Sequence, residues 1–235
     1  MARARKVALW LILLMVAAWA TASAAGPGTT TGLSSDEALK RLMEGNQRFL
    51  ESRMLLCGQA TSDAVKALSR EQKPYAIILS CSDSRVPPEI IFDQPLGDIF
   101  VVRVAGNVAD PVALGSIEYA LEHFGSSLIM VLGHKRCGAV SAAFDAQGTP
   151  TGNLGSIIKL IAPAVAKAKK ASQGKPKAVQ VETAIDDNIS LTAARLITQS
   201  SVIKRLVGEG KVKIVQAKYD LDDGKVGLLF DEPGR

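Results

Sequence analysis

Two cysteines and one histidine follow apolar runs that are typical of buried strands. Cys81 comes directly after YAIILS (75–80), while His134 and Cys137 lie in GHKRCG, directly after LIMVL (128–132). In open α/β sheets, ligands bind at the edge where the carboxyl ends of the strands meet. Two thiolates and one imidazole provide three ligands of a tetrahedral zinc and leave one position for water, as in catalytic zinc sites. The alternative is that these side chains only pack at the strand ends.

An acidic and a basic residue follow the first cysteine at intervals of two residues. In an extended segment this spacing puts Cys81, Asp83 and Arg85 on one side of the chain. A guanidinium can hold a carboxylate through two parallel hydrogen bonds, which a lysine ammonium cannot do. The spacing therefore predicts an aspartate–arginine pair beside the cysteine. The alternative is an ordinary surface salt bridge.

A parallel sheet is needed to bring these segments together. A third apolar run, IFVVRV (99–104), lies between the two runs that precede the cysteines. Continuous apolar runs of this length are typical of strands buried on both faces, so we expect an α/β fold with a mainly parallel sheet flanked by helices. Near the C-terminus, segments 213–219 and 226–230 flank an Asp-Asp-Gly turn and predict a fourth strand and an antiparallel edge hairpin.

Helix signals fill the intervals between the strands. Ser34 and Glu37 form a capping box before a helix that extends to about residue 50. Asp110 as N-cap and Pro111 at the first helical position begin a helix that ends near Gly125. A long helical region is predicted at 183–206. The basic stretch at 167–177 is interpreted as a loop or a frayed helix end.

The composition is that of one globular domain, since 47% of the 235 residues are hydrophobic and 22% are charged. The formal net charge is +5, but Arg3, Arg5 and Lys6 provide three of these charges and the remaining chain carries only +2. So small a charge argues against nucleic acid as a partner. Three cysteines are too few for a disulfide scaffold and favour metal or thiol chemistry.

The first residues have the pattern of a signal peptide. Three basic residues precede an apolar stretch from Val7 to Ala20, and small residues stand at Ala22 and Ala24. A stretch of about 14 apolar residues is shorter than the ~20 that a membrane-spanning helix needs, which argues against the alternative of a membrane anchor. We expect a periplasmic or secreted protein after cleavage near Ala24, without stable membrane insertion. The predicted organisation is a signal peptide at 1–24, a flexible segment at 25–33 and one zinc-dependent domain at 34–235.

Several motifs together are similar to those of a known family. CSDSRVPPE (81–89) and GHKRCG (133–138) resemble the paired signature of the β-class carbonic anhydrases. GDIFVVRVAGN, GSIEYALEHFG and KVKIVQAKYDLDDGKV resemble the family in the same order, so the resemblance covers roughly residues 36–230. It implies that a zinc-bound hydroxide attacks carbon dioxide to give bicarbonate and a proton. It also implies a Zn²⁺ held by Cys81, His134 and Cys137, with Asp83 and Arg85 as the catalytic dyad beside it.

The resemblance also implies a substrate pocket and an oligomer. Gln72, Phe100, Tyr119 and Gly138 match the positions that bind substrate in this family. In its plant-like branch such groups surround bicarbonate across a subunit boundary, which implies a homodimer or homotetramer. For Phe100 and Tyr119, packing in the core is the alternative.

Some residues depart from the family pattern or lack a role in it. The branch with a noncatalytic bicarbonate pocket has a tryptophan three residues before the first cysteine, where this chain has Ile78, although Arg103 matches that pocket. His123 at a helix end is best explained by stabilisation of the helix C-terminus, with a proton shuttle as the alternative. Cys57 is interpreted as a packed or stray thiol in a loop.

Two other functions remain open on the sequence alone. The same scaffold could act as a zinc lyase or hydrolase on a carbon dioxide analogue, such as carbon disulfide or carbonyl sulfide. A noncatalytic zinc-binding or thiol redox protein is the second, since an oxidising compartment could join Cys81 to Cys137. Asp83 and Arg85 argue against it, because neither is needed to bind structural zinc. Asp83 could also become a fourth zinc ligand in a closed state.

Overall fold

The computed structural model describes residues 32–55, 61–148 and 150–229. The predicted signal peptide, Cys57 and Phe230 lie outside these ranges. In chain order, the elements are α1 (Ser35–Leu50), α2 (Ser62–Leu68), β1 (Ala76–Ser80), α3 (Pro88–Ile91), β2 (Ile99–Arg103), a 3₁₀ turn (Ala105–Asn107), α4 (Pro111–Phe124), β3 (Leu128–His134), α5 (Gly138–Asp145), α6 (Leu154–Ala171), α7 (Lys177–Gln199), α8 (Ser201–Gly208), β4 (Lys213–Tyr219) and β5 (Val226–Leu228).

The predicted parallel sheet with an antiparallel edge is confirmed. The strand order is β2-β1-β3-β4-β5, and only the β4–β5 pair is antiparallel. The register aligns Ser80 of β1 with Arg103 of β2 on one side and with Leu132 of β3 on the other. The carboxyl ends of β1 and β3 therefore lie side by side.

Helices cover both faces of the sheet, which explains the continuous apolar strands. All five residues of β1 are buried. Successive side chains of a strand point to opposite faces, so Ile77 and Leu79 pack in the core that includes residues of helices α4 to α8, while Ile78 packs with Leu42 of α1 on the other face.

The local helix signals have the predicted structural basis. The Ser34 side chain and Glu37 complete the capping box at the start of α1. Asp110 accepts a hydrogen bond from the backbone of Ala113 at the start of α4, and that helix ends at Gly125, whose φ is 65°. A left-handed residue at this position is a common helix end that favours glycine.

Two predicted boundaries were wrong, and a third segment is only partly as predicted. β3 continues through His134 instead of ending at residue 132, because the β4 ladder extends to a pairing of His134 with Tyr219. The long helical region predicted at 183–206 starts earlier, at residue 177, and consists of the two helices α7 and α8. They are separated at Ser200, whose backbone is extended and whose side chain caps α8. The basic stretch belongs to α6 up to Ala171 and only then becomes a turn.

None of the helices within the described ranges is long and apolar enough to cross a membrane.

Candidate active site

The sheet places Cys81, His134 and Cys137 in one buried cluster. Cys81 follows the last residue of β1, His134 ends β3, and Cys137 is the residue before α5. Their ligand atoms all lie within 4.8 Å of one another, and their exposures are 4%, 0% and 1%. Both cysteines are free thiols. This is the set that the sequence predicted for a metal.

The turn between the histidine and the second cysteine depends on Arg136. Glycines flank this turn at positions 133 and 138, but its left-handed residue is Arg136, with φ of 53°. Its backbone N–H donates to Glu182 of α7 at 2.8 Å, and its side chain pairs with Asp222 at 2.8 Å. Gly133 serves a different purpose, because a Cβ there would lie 2.4 Å from the Ile189 side chain.

The imidazole of His134 is oriented for metal binding. Its Nδ1 lies 2.9 Å from the carbonyl oxygen of Lys135. Since a carbonyl can only accept, Nδ1 carries the proton and Nε2 keeps its lone pair. Nε2 is buried and has no hydrogen-bond partner among the described residues. A buried unpaired acceptor is costly, so this atom fits a metal ligand.

The two thiols differ in their electrostatic environment. Hydrogen bonding from Cys137 is the main cause that lowers the pKa of Cys81 to about 4, with help from the Gly106 amide and against the effect of burial. Its hydrogen bond to Cys81, together with burial, raises the pKa of Cys137 well above its usual range. A divalent cation held by this pair would need both sulfurs as thiolates, so its binding would release protons.

Asp83 and Arg85 form a two-point ion pair beside this cluster. Arg85 Nε donates to Asp83 Oδ1 at 2.9 Å, and Arg85 Nη2 donates to Oδ2 at 2.8 Å. Asp83 Oδ2 also lies 3.9 Å from His134 Nε2. The Arg85 hydrogen bonds are the main cause that holds the pKa of Asp83 far below its usual range.

Sequence reasoning missed several residues that support the ligands. Arg103, which the sequence matched only to a noncatalytic bicarbonate pocket, donates to the carbonyl oxygens of Cys81 and Asp83 at 3.0 and 2.6 Å. The Gly106 N–H donates to the Cys81 sulfur at 3.3 Å. Arg103 could have been found, because it ends the strand beside β1, whereas Gly106 carries no local signal.

The predicted substrate residues are divided between two places. Gly138 directly follows the last cysteine and has open space where a Cβ would be. Phe100 of β2 is paired with Ile77 of β1. Ile77 lies four residues before Cys81, so Phe100 is about 13 Å from the level of Cys81 along the strand direction. Tyr119 lies against Phe100, with ring centroids 6.5 Å apart, and shares a surface recess with Gln72. Within one chain, Phe100, Tyr119 and Gln72 are thus not assembled at the cluster of Cys81, His134 and Cys137.

The remaining singled-out residues lie apart from the cluster. His123 occupies the last turn of α4, where its ring lies 4.3 Å from that of Tyr119. Ile78 is fully buried in the core on the α1 side of the sheet.

Comparison with known proteins identifies the family. The family model described as carbonic anhydrase matches residues 76–226. The chain is 43% identical over 194 residues to carbonic anhydrase 2 of Mycobacterium tuberculosis, covering 81% of this chain and 91% of that protein. It is 38% identical to a carbonic anhydrase of Mycolicibacterium smegmatis, with the same coverage.

Solved structures agree with this result. The β-carbonic anhydrase CafA of Aspergillus fumigatus has a TM-score of 0.67 and 25% identity, covering 84% of this chain and 92% of that one. A Coccomyxa β-carbonic anhydrase has a TM-score of 0.68 at 22% identity, covering 81% and 86%, which shows the fold alone. The chain therefore belongs to the β-class carbonic anhydrases, a family of lyases.

Proposed function

We propose that the chain catalyses the reversible hydration of carbon dioxide to bicarbonate and a proton, with Zn²⁺ held by Cys81, His134 and Cys137. The observation that carries the proposal is the buried cluster of these three side chains, with an unpaired His134 Nε2 and an ion-paired carboxylate beside it. Two sulfurs and one nitrogen suit Zn²⁺ and leave one tetrahedral position for a fourth ligand. Zinc supplies hydroxide near neutral pH by lowering the pKa of a bound water to about 7.

Asp83 and Arg85 prepare the open side of the cluster. The Asp83 carboxylate is ionised at neutral pH, since its hydrogen bonds with Arg85 lower its pKa, and one lone pair of Oδ2 can accept a proton from the attacking group. Arg85 engages both carboxylate oxygens. This contact keeps Asp83 from becoming a fourth ligand, which would close the site.

A second copy of the chain would complete the substrate pocket. Gln72, Phe100 and Tyr119 are remote from the cluster of their own chain, and Tyr119 is 49% exposed beside the exposed apolar side chain of Leu96. This supports a homodimer or homotetramer in which one subunit presents these residues to the other. A tetrameric β-carbonic anhydrase of Sordaria macrospora has the same fold, with a TM-score of 0.66 at 20% identity.

The chain is proposed to act outside the cytoplasm. The support is the N-terminal pattern of basic, apolar and small residues that ends near Ala24.

The function is tested by stopped-flow hydration of carbon dioxide with protein of known metal content. We expect activity in proportion to bound zinc, loss after chelation, and recovery when zinc is added. Carbon disulfide and carbonyl sulfide are assayed in parallel, because faster turnover of either would identify an analogue lyase instead. Zinc binding without turnover of any of these substrates would show a noncatalytic protein.

A further inference from the structure

The sulfur of Cys81 has a backbone hydrogen-bond donor that comes from another strand end. Gly106 lies in the 3₁₀ turn after β2, and its N–H donates to Cys81 Sγ at 3.3 Å. An amide that donates to a thiolate stabilises its negative charge and fixes the direction of the sulfur. The position of this amide therefore affects how the sulfur is presented to a metal.

Gly106 cannot be held in place by a side chain of its own. Its φ is 71°, and a Cβ there would lie 2.7 Å from Ile161 Cδ1 and 3.2 Å from Ala139 Cβ. Glycine suits this position, but it is also the residue with the greatest backbone freedom. Something else must keep its N–H directed at the sulfur.

Asn188 provides that restraint from the middle of α7. Its Nδ2 donates to the carbonyl oxygen of Gly106 at 2.8 Å across 82 residues of sequence. The side chain is almost fully buried, with 1% exposure, on a face where its helical neighbours Ile185 and Ile189 are apolar. A buried amide costs free energy unless it is hydrogen-bonded; here Nδ2 is satisfied by the Gly106 carbonyl, whereas Oδ1 is buried with no hydrogen-bond partner among the described residues. An asparagine that keeps this cost on an apolar helix face points to a need for its Nδ2 contact.

We propose that Asn188 is a positioning residue for the metal-binding thiolate of Cys81 and acts through Gly106. Asn188 fixes the carbonyl group of Gly106, which keeps the N–H of Gly106 directed at the Cys81 sulfur. This hydrogen bond orients the sulfur and stabilises its negative charge. This inference rests on the proposed role of Cys81 as a zinc ligand. Loss of groups that orient metal ligands from outside the first shell weakens metal binding by about 10- to 100-fold.

Asn46 offers a matched control for the purely structural role of a buried asparagine. Its exposure is 2%, and its Nδ2 donates to the carbonyl oxygens of Ile91 and Gly224 at 3.1 and 3.0 Å. It lies on α1, whose buried side chains pack on the opposite face of the sheet from Asn188. Asn188→Ala and Asn46→Ala both remove a buried amide, but only the first removes a contact with the metal site.

The experiment compares zinc dissociation constants by chelator competition for the full chain and both variants, well below their unfolding temperatures. We expect Asn188→Ala to bind zinc about tenfold or more weakly than wild type, and Asn46→Ala to bind it as wild type does. With cobalt in place of zinc, the sulfur-to-metal charge-transfer band should move only in Asn188→Ala. Equal zinc affinities and cobalt spectra in the two variants would overturn the proposal.

A second variant keeps the test decisive if Asn188→Ala does not fold. Asn188→Thr has nearly the same volume, and its hydroxyl is taken up by a carbonyl of its own helix. NMR of protein loaded with a spin-active cadmium isotope should show scalar coupling from the metal to the Gly106 amide proton in wild type, and weaker coupling in Asn188→Thr. Unchanged coupling would refute the role of Asn188, whereas a wild-type chain that binds no zinc would refute the proposed function instead.

Discussion

Nε2 of His134 and Oδ2 of Asp83 lie 3.9 Å apart, and Arg85 Nη2 donates a hydrogen bond to that same oxygen at 2.8 Å. A carboxylate so close to a cysteine–histidine cluster is itself a good zinc ligand. Whether it coordinates or only accepts a proton depends on the two hydrogen bonds that Arg85 donates. The competition between Arg85 and the metal for Asp83 is thus central to how the site would work.

Removal of Arg85 should close the site without emptying it. We expect Arg85→Ala to keep its zinc but to lose about 10²-fold or more of its hydration rate, because Asp83 moves onto the metal and no longer accepts a proton. Arg85→Lys should rescue poorly, since an ammonium cannot make the planar two-point contact. Stopped-flow hydration measures the loss, and X-ray absorption at the zinc edge detects the added oxygen ligand.

The control for this experiment is Arg205→Ala, which breaks an exposed ion pair between Arg205 of α8 and Glu209, the residue that follows this helix. It should leave turnover unchanged. Turnover close to wild type in Arg85→Ala, with no new carboxylate on the zinc, would reduce Arg85 to a structural partner.

Gly45 should be intolerant of even one methyl group. A Cβ at this buried position of α1 would lie 1.7 Å from the carbonyl oxygen of Phe92. We expect Gly45→Ala to lower the free energy of unfolding by about 2–3 kcal/mol despite the better helix propensity of alanine. Gly208→Ala is the control, since a Cβ there meets nothing within 4 Å. Urea unfolding that ranks both variants alike would disprove the close approach of α1 to Phe92.

The local signals of the chain were sufficient for most of the fold. Buried strands on both faces of a sheet read as continuous apolar runs, so β1 and β2 were predicted nearly to the residue, and the caps of α1 and α4 were recognised from Ser34 and Asp110. Boundaries set by distant partners were missed. β3 reaches His134 because of its pairing with β4, which no feature within residues 128–134 indicates.

In the candidate site, too, the features with a local sequence signal were predicted and those set by distant parts of the chain were missed. The Cys81, His134 and Cys137 cluster and the Asp83–Arg85 pair were found because their residue types and spacing carry the chemistry. The groups that orient them come from other parts of the chain, as the 82-residue separation of Asn188 and Gly106 shows. Such contacts are decided by packing, and a single sequence contains no periodicity from which to infer them.

Asp98 should lower the free energy of unfolding as the pH rises through the acid range. Burial raises the pKa of its carboxyl above the usual range, although Arg41 acts in the opposite direction. The folded chain then binds this proton more tightly than the unfolded chain, so the contribution to stability is present below the unfolded pKa of about 3.9 and is lost as pH rises through the folded value.

The measurement for Asp98 is urea unfolding of wild type and Asp98→Asn from pH 4 to pH 7. The variant should gain stability relative to wild type as pH rises, because it has no carboxylate to desolvate. Asp63→Asn, which changes an exposed carboxylate on α2, should show no such trend. A stability difference between wild type and Asp98→Asn that is independent of pH would contradict this prediction.

Export should remove the N-terminal segment. We expect the mature protein to begin at Ala25, because Ala22 and Ala24 present small side chains at the positions that a signal peptidase recognises. N-terminal sequencing of protein from the fraction outside the cytoplasm checks this. Protein that retains Met1 and sediments with membranes would show an anchored protein instead.

The most direct test of the account is the zinc content of Cys137→Ser, measured together with its rate of carbon dioxide hydration. A neutral hydroxyl replaces an anionic soft ligand, so we predict about one zinc per chain with hydration activity in wild type, and loss of both in the variant. Cys57→Ser is the matched control and should keep both. Full zinc occupancy in Cys137→Ser, or hydration that persists without metal, would contradict the proposed site.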